Sequence, residues 1–315
     1  MYQNVSWFIR NDSFLLAFKV DLLVAQDLVI AHTAYTPLPG SNPVQYVQNA
    51  AIAALLSRTA IANKEVLSGL HISQSHEDIK SLLQPNMTLE DLARLGVQTP
   101  SLAWPVFQAL WAELTATEAT GNTNCGQPFK PRPPILVTVD GLSHWMMNSR
   151  YRGAEYEPIH AHDLVFVKHF LSLLQPATSE QTLPNGGLLL YATSASNNPT
   201  IYSFDIALEQ IIAFQNGVDP SSPNFPRLDP YAKIDERVLS LFDIHARSME
   251  AGEFEVKSLG GLTIDEAWGF LEHFACSGLL REKVTGELVG EKWSLAGGGI
   301  IGEMERVARR LRAIV

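Results

Sequence analysis

The sequence of 315 residues contains only two cysteines, Cys125 and Cys276, which lie far apart along the chain. Disulfide frameworks and the usual zinc or iron–sulfur sites require several cysteines. These classes are therefore excluded, and both side chains are expected to be reduced thiols. Stability must come from a hydrophobic core, and a chain of this length buries about 75% of the surface that its unfolded form exposes.

Basic residues are also scarce, because 23 Lys and Arg stand against 33 Asp and Glu and leave a formal net charge of −10. A protein whose whole surface coats nucleic acid needs an excess of positive charge. Any contact with RNA must therefore be local. Long apolar runs are missing as well: none reaches the roughly 18 residues of a membrane span, so no membrane association is expected.

No presequence or other targeting signal is visible in the N-terminal segment. Its first 21 residues contain Asp12 and Asp21 against only Arg10 and Lys19. Secretory signal peptides have a basic start and an apolar centre, and mitochondrial presequences are rich in Arg and poor in acids. Neither pattern fits this segment.

The phosphate-binding loop of P-loop proteins is absent from these 315 residues. Its pattern, G-x-x-x-x-G-K-[ST], wraps backbone amides around the phosphates of a nucleotide. Lysine is followed by serine or threonine only at Lys80 and Lys257, and neither lysine follows a glycine. The first glycine of the chain is Gly40. The sequence therefore contains no P-loop.

What the chain does contain is a strand, a helix and a strand in the order of a crossover unit. Residues 135–139 form a β-favouring run that ends at Asp140, residues 161–175 have helical spacing, and residues 186–196 begin with a second apolar run. Runs without alternation are typical of parallel strands covered by helices on both faces. The predicted core is therefore α/β and doubly wound.

Helices are predicted around this unit. Thr88 with Asp91, and Thr263 with Glu266, match the capping box, in which side chains satisfy free amides of the first helical turn. The segment 115–134, rich in Pro, Thr and Gly, is predicted to be a polar surface loop. The further helices predicted from the sequence span residues 45–64 and 100–114.

The C-terminal part predicts a small appendage of helical or winged-helix type. A strand is predicted in "FEVKSL" (254–259), and a hairpin-like piece is predicted after the helix that begins at Thr263. The glycines of "AGGGIIGE" (296–303) are expected to form a tight packing turn, because no lysine follows them. The final helix carries arginines that either contact RNA phosphates or form a solvated face: Arg306, Arg309, Arg310 and Arg312.

Side chains at the ends of the two apolar strands are the main site candidates. Open parallel sheets bind ligands at their carboxyl edge, so Asp140 is a candidate Walker B acid that holds a magnesium-bound water near a nucleotide phosphate. Thr193, Ser194 and Ser196 close the neighbouring strand, where a hydroxyl can sense a γ-phosphate. The alternatives are an acid that caps a turn and hydroxyls that form turns.

Two further patterns are weaker. His160, His162 and Asp163 suggest a metal site, but no other ligand is placed, so surface or helix-start roles are preferred and no metal is expected. Ser143 precedes a histidine, yet Trp145 stands where a nucleophile elbow requires its second glycine. A serine hydrolase is therefore not expected.

Five stretches together carry a resemblance to a known family. They are "HTAYTPLPGSNPVQY", "PPILVTVDGLSHW", "LDPYAKIDERVLS", "GLTIDEAWGFLEHFACSGLLRE" and "EKWSLAGGGIIGEMERVARRLR". In this order they resemble the death-associated, GTP-binding protein family of the mitochondrial small ribosomal subunit, in its fungal form. The resemblance runs from about Val24 to the C-terminus.

The resemblance implies an AAA-like P-loop NTPase core over residues 24–262 with a C-terminal helical or winged-helix lid over residues 263–315. It implies a structural protein of the mitochondrial matrix, in the head of the small ribosomal subunit near the intersubunit bridges, with ribosomal proteins as partners and a minor rRNA contact. Members bind GTP or GDP with Mg without known turnover, so no enzymatic activity is expected. By the same resemblance Asp140 takes the Walker B place, and Thr193 to Ser196 take the sensor place.

The front of the sequence departs from this pattern. Residues 1–23 do not resemble the family, and its first strand and phosphate loop are missing. We interpret the sequence as a truncated, misassembled or divergent product that binds GTP poorly or not at all. Residues 4–30 are compatible with a helix or two short strands, and the segment Val5 to Phe18 with a substitute strand for the sheet.

Two other function classes stay open. One is a nucleotide-dependent signalling switch of the AAA or STAND type, acting as a GTPase or ATPase, which the missing lysine disfavours. The other is a degenerate protein-interaction module. Cosedimentation with small ribosomal subunits distinguishes such a module from a ribosomal component.

Overall fold

The computed structural model describes residues 16–20, 35–37, 45–119, 129–174, 183–193, 199–242 and 255–309. The chain forms two compact units, Met1–Glu250 and Ala251–Val315. In the described residues, the first unit contains strands and helices, and the second contains helices only. The finer division of the chain at residues 23 and 262 stays a prediction.

The described part of the first unit contains seven strands and seven α-helices. The strands are β1 (Leu16–Val20), β2 (Tyr35–Pro37), β3 (Tyr46–Gln48), β4 (Ile135–Asp140), β5 (Asn148–Arg152), β6 (Pro158–His160) and β7 (Gly187–Ala192). The helices are α1 (Asn49–Ala62), α2 (Lys64–Ser68), α3 (Leu89–Gln98), α4 (Ala103–Thr115), α5 (Val165–Ser172), α6 (Tyr202–Gln215) and α7 (Glu236–Leu241).

Three strands form a parallel sheet in the order β1, β4, β7. Ile135 of the central strand β4 pairs with Leu16 on one side and with Gly187 on the other. The parallel pairing of β4 with β7 confirms the predicted strand, helix and strand unit, in which α5 is the helix. The segment before residue 24, which the sequence left open between helix and strand, contributes β1 to this sheet.

The two faces of the sheet differ in burial. On one face Tyr191 of β7 donates its hydroxyl proton to the carbonyl oxygen of Phe170 in α5 at 2.7 Å. On the other face Leu188 and Leu190 are 53% and 48% exposed. Within the described residues, the prediction that helices bury β7 on both faces is therefore wrong, because an apolar run does not specify which neighbours cover it. In β4 the buried side chains all point to one face: Ile135, Val137 and Val139.

Aromatic side chains of α4 and α5 fill the core on the covered face. The rings of Phe107 and Phe170, both fully buried, have centroids 5.9 Å apart. Trp145, which follows β4, lies 6.4 Å from the Phe170 ring. This contact joins the end of the central strand to the helix that crosses over to β7.

The predicted helices of the first unit are confirmed with small shifts. The helix predicted over residues 45–64 begins only at Asn49, because β3 precedes it and pairs with β2. Thr88 and Asp91 form the predicted capping box, and α3 starts at the next residue. The helix predicted over residues 100–114 is α4, preceded by a short 3-10 turn.

The segment between Asp140 and the helix α5 contains a β-hairpin. Strands β5 and β6 are antiparallel, with Asn148 opposite His160 and Arg152 opposite Pro158. The register shifts between these two pairs, which marks a bulge. We refer to residues 148–160 as the hairpin.

The second unit contains three α-helices in its described residues: α8 (Ile264–Cys276), α9 (Gly286–Leu295) and α10 (Ile301–Arg309). Thr263 and Glu266 form the predicted capping box at the start of α8. The apolar faces of the three helices meet in a small core formed mainly by Ala267, Leu271, Phe274, Val289 and Met304.

Two predictions for the second unit are wrong. Residues 255–259, for which a strand was predicted, do not belong to any strand of the structure. The hairpin-like piece is instead α9, with Thr285 accepting a hydrogen bond from the Leu288 amide at 3.3 Å. The described residues 255–309 therefore show the helical alternative and no wing strand.

The triple-glycine segment is the tight packing turn that was predicted. The Leu262 amide donates to the carbonyl oxygen of Gly299 at 2.8 Å. A side chain at Gly261 would bring its Cβ to 2.0 Å from the Gly298 carbonyl oxygen. Only glycine permits this close approach of two backbone segments.

Candidate functional site

The carboxyl edge of the parallel sheet brings two of the predicted site residues together. Asp140 ends β4 and pairs in register with Ala192, so Thr193 is the next residue on the neighbouring strand. Both residues are exposed. Ser194 and Ser196 lie outside the described residues. The nearness of Asp140 and Thr193 is thus a structural fact, and their roles stay predictions.

A compact turn follows Asp140. Gly141 has φ 81°, a left-handed conformation that favours glycine, and its amide donates to the carbonyl oxygen of Ala192 at 2.9 Å. The next residues form a 3-10 turn in which Ser143 is 1% exposed. The Ser143 hydroxyl is therefore buried beneath this turn, and the expectation against a serine hydrolase stays a prediction.

The chemistry open to this edge is limited. Asp140 offers a carboxylate and Thr193 a hydroxyl, which are ligands that suit a hydrated divalent cation. A nucleotide site also requires backbone amides arranged around the phosphates. The glycine-rich pattern that would supply those amides is not in the sequence.

The histidine pair lies at the junction of β6 and α5. His160 Nδ1 accepts a hydrogen bond from the His162 amide at 3.2 Å, and its Nε2 lies 3.3 Å from Asp235 Oδ2. Burial lowers the pKa of both rings, that of His162 to about 4, so both are neutral at pH 7. In the described part of the chain, no group of three His, Cys, Asp or Glu is arranged to hold a metal ion.

The predicted RNA-contacting arginines are only partly described. Arg306 and Arg309 lie on α10, and each pairs with a glutamate of the same helix, Glu303 and Glu305 respectively. These pairs offset the positive charge of the helix face locally. Arg310 and Arg312 lie outside the described residues.

Sequence reasoning missed a buried ion pair in the first unit. Arg132, in the segment predicted to be a polar surface loop, is 5% exposed, and its Nη2 donates to Glu113 Oε2 at 2.6 Å. The amides of Ser73 and Gln74 donate to Glu113 Oε1 at 2.8 and 2.7 Å. His76 Nε2 lies 3.0 Å from the same oxygen.

This network fixes the charge of Glu113. Burial by itself raises the pKa of the carboxyl, but hydrogen bonds from His76, Gln74 and Ser73 outweigh burial and hold the pKa below its usual value.

The sequence contained a signal for this ion pair, because Glu113 falls three residues after Leu110 on the apolar face of α4. A carboxylate in that position requires a buried partner.

No helix in the described residues is both long enough and apolar enough to span a membrane.

Residues 16–307 match the family described as mitochondrial ribosomal death-associated protein 3. The match starts at Leu16, the first residue of β1, and therefore further toward the N-terminus than the resemblance predicted.

The chain is also 37% identical over 285 residues to the Neurospora crassa protein named small ribosomal subunit protein mS29. This similarity covers 90% of the chain and 55% of that relative, so the chain spans about half the length of the relative. The family match and this identity both extend over the two compact units. The chain therefore belongs to the mitochondrial ribosomal death-associated protein 3 family.

Proposed function

We propose that the chain is a structural constituent of the small subunit of the mitochondrial ribosome. The observation that carries the proposal is the 37% identity, over 90% of the chain, with a protein named as a small ribosomal subunit protein. The net charge of −10 fits a component that contacts mainly other proteins.

We further propose that the partners are ribosomal proteins of the small-subunit head and the intersubunit bridges, with a minor rRNA contact. The proposed location is the mitochondrial matrix. In such a role the chain acts as a scaffold and not as an enzyme.

Sedimentation tests this assignment. The chain, fused to a mitochondrial leader and an affinity tag, is expressed in fungal cells, and mitochondrial lysates are separated on sucrose gradients. We expect the tagged chain to migrate with small subunits, while the same leader and tag on an unrelated matrix protein stay at the top. A chain found only at the top would contradict the proposal and favour a degenerate interaction module.

For nucleotide, we propose that these 315 residues bind GTP or GDP with Mg weakly at most. Asp140 and Thr193 lie side by side at the sheet edge, which supports their Walker B and sensor places, but the sequence supplies no phosphate loop. The same proximity is the one observation that favours the second candidate function, a nucleotide-dependent switch.

Calorimetric titration of the purified chain with GTP and Mg²⁺ separates these two functions. We expect no binding at micromolar nucleotide, and the same result for the Asp140→Asn variant. Micromolar binding that the Asp140→Asn variant loses, accompanied by phosphate release, would instead establish the switch.

A further inference from the structure

The loop between α6 and α7 exposes three large apolar side chains within a short stretch of sequence. Tyr231 is 96% exposed, and Leu228 and Ile234 are 41% and 39% exposed. We refer to residues 225–235 as the α6–α7 loop. Single apolar side chains on a surface are ordinary, whereas a group of them is typical of a surface that binds a partner.

Both ends of the α6–α7 loop are fixed to the first unit. Phe225 at its start is 8% exposed, and the carbonyl oxygen of Pro226 accepts a hydrogen bond from Nε2 of Gln210 in α6 at 3.0 Å. At the other end the Asp235 amide donates to Oγ of the buried Ser203 in α6 at 2.7 Å. The loop therefore has defined ends although it contains no helix or strand.

A β-turn fixes the centre of the loop, at Tyr231 itself. The Ala232 amide donates to the carbonyl oxygen of Asp229 at 3.2 Å, and the Tyr231 amide donates to Oδ1 of Asp229 at 2.9 Å. Pro230 takes the second position of the turn, where its restricted φ is favourable. The Asp229 amide donates in turn to the hydroxyl of Tyr202 in α6. Because this backbone is already ordered, binding through the Tyr231 ring costs little conformational entropy.

The charges of the loop favour a protein partner over RNA. Residues 225–235 contain two basic side chains, Arg227 and Lys233, and two acidic ones, Asp229 and Asp235, so their formal charges cancel. RNA binding requires a local excess of positive charge, which this loop does not have. Protein interfaces instead combine aromatic anchors with a polar rim.

We infer that the α6–α7 loop docks another protein of the small ribosomal subunit, whose surface has an apolar recess that takes the Tyr231 ring. Tyrosine offers a large contact area and has only two side-chain torsions to fix. Leu228 and Ile234 extend the apolar contact, and the charged side chains of the loop form its rim. The inference rests on the proposed ribosomal function and names the surface through which the chain holds a protein neighbour.

The rate of release from the subunit tests the role of the ring. Gradient-purified small subunits that carry the labelled full chain are challenged with an excess of unlabelled chain, and the label left on the subunits is followed over time. Substitutions in an interface act mainly on dissociation, so we expect Tyr231→Ala to be released roughly tenfold faster than the unchanged chain. Tyr231→Phe keeps the ring and should be released at the unchanged rate.

Tyr156 is the matched control, since it is 86% exposed but lies in the hairpin between two glutamates. Its φ is 61°, so the control substitution is Tyr156→Asn, which tolerates this conformation. Tyr231→Ala should leave the thermal unfolding midpoint unchanged, because the side chain is almost fully exposed. The inference is overturned if Tyr231→Ala is released no faster than the unchanged chain, or no faster than Tyr156→Asn.

Cross-linking identifies what the loop contacts. The photoreactive amino acid p-benzoylphenylalanine replaces Tyr231 in the tagged chain, the gradient fractions are irradiated, and the adducts are identified by mass spectrometry. We expect an adduct with a ribosomal protein in the small-subunit fractions and none in unassembled chain at the top of the gradient. An adduct only with rRNA or with a second copy of the chain overturns the inference, as does incorporated chain without any adduct. A chain missing from the subunits refutes the proposed function, and the inference falls with it.

Discussion

Arg132→Met should strongly destabilise the first unit. Glu113 is 0% exposed, so the substitution leaves its carboxylate in the interior without the guanidinium group beside it. The change also removes the hydrogen bonds that Arg132 donates to the carbonyl oxygens of Glu113 and His71, at 2.9 and 2.8 Å. Methionine keeps much of the length of the side chain, so lost packing contributes little to the expected effect.

The magnitude follows from burial. Removing one partner of a buried ion pair costs about 3–5 kcal/mol. The pair of Lys80 and Glu77, whose side chains are 70% and 71% exposed, contributes at most about 1 kcal/mol, so Lys80→Met is the matched surface control. Adding Glu113→Gln to Arg132→Met removes the unpaired charge and keeps an acceptor for the Ser73 amide. We expect the double variant to cost less than the sum of the single variants by about 1–3 kcal/mol.

Urea unfolding followed by tryptophan fluorescence measures these differences, with Trp104 and Trp111 of α4 as reporters in the first unit. Equal slopes of the unfolding free energy against urea would show that the variants unfold from comparable folded states. The reasoning is refuted if Arg132→Met costs no more than Lys80→Met. It is also refuted if the effects of Glu113→Gln and Arg132→Met simply add.

Three further predictions concern acid, the sheet and the second unit. Burial lowers the pKa of His169 to about 4, so the unfolded chain binds the proton first as pH falls below about 6.5. The free energy of unfolding should then fall by about 2 kcal/mol between pH 7 and pH 5. Urea unfolding at several pH values measures this fall, and we expect it to be absent from the His169→Leu variant. Val137 is 0% exposed, so Val137→Ala should lower the free energy of unfolding by about 1–3 kcal/mol, as measured by thermal unfolding. Leu190 is 48% exposed, so Leu190→Thr should change it by no more than about 0.5 kcal/mol. Equal effects would mean that both faces of the sheet are covered. Thr263→Ala removes the helix cap and should lower the free energy of unfolding of the second unit by about 0.5–2 kcal/mol. Thr263→Ser retains the cap and is the control, and near-ultraviolet circular dichroism follows the unfolding.

Local features of the sequence predicted the local features of the structure. Thr88 and Thr263 cap helices because each needs only the amide and the acid three residues away, and those partners are contiguous in the chain. The apolar runs that end at Asp140 and Ala192 predicted two parallel strands, and the side chains that follow them meet at one edge. The order of polar residues after apolar runs was enough to place the candidate site.

Other features depended on partners that are distant in the sequence. The segment that contains Arg132 has the composition of a surface loop, and only its hydrogen bonds with Glu113 and His71 make it part of the core. The segment of α9 contains Gly286 and Gly290 and was predicted to be hairpin-like, yet packing against α8 and α10 makes it a helix. Tertiary packing outweighs local propensity in such segments.

The sequence alone determined the α/β class, the parallel order of β4 and β7, the capped helices and the absence of a P-loop from these residues, because each follows from contiguous residues. Only the tertiary structure decided that β1 joins the sheet, that Leu188 and Leu190 face solvent, and that Glu113 and Arg132 form a buried ion pair. Burial and charge pairing are properties of neighbours in space, and a linear pattern does not specify those neighbours.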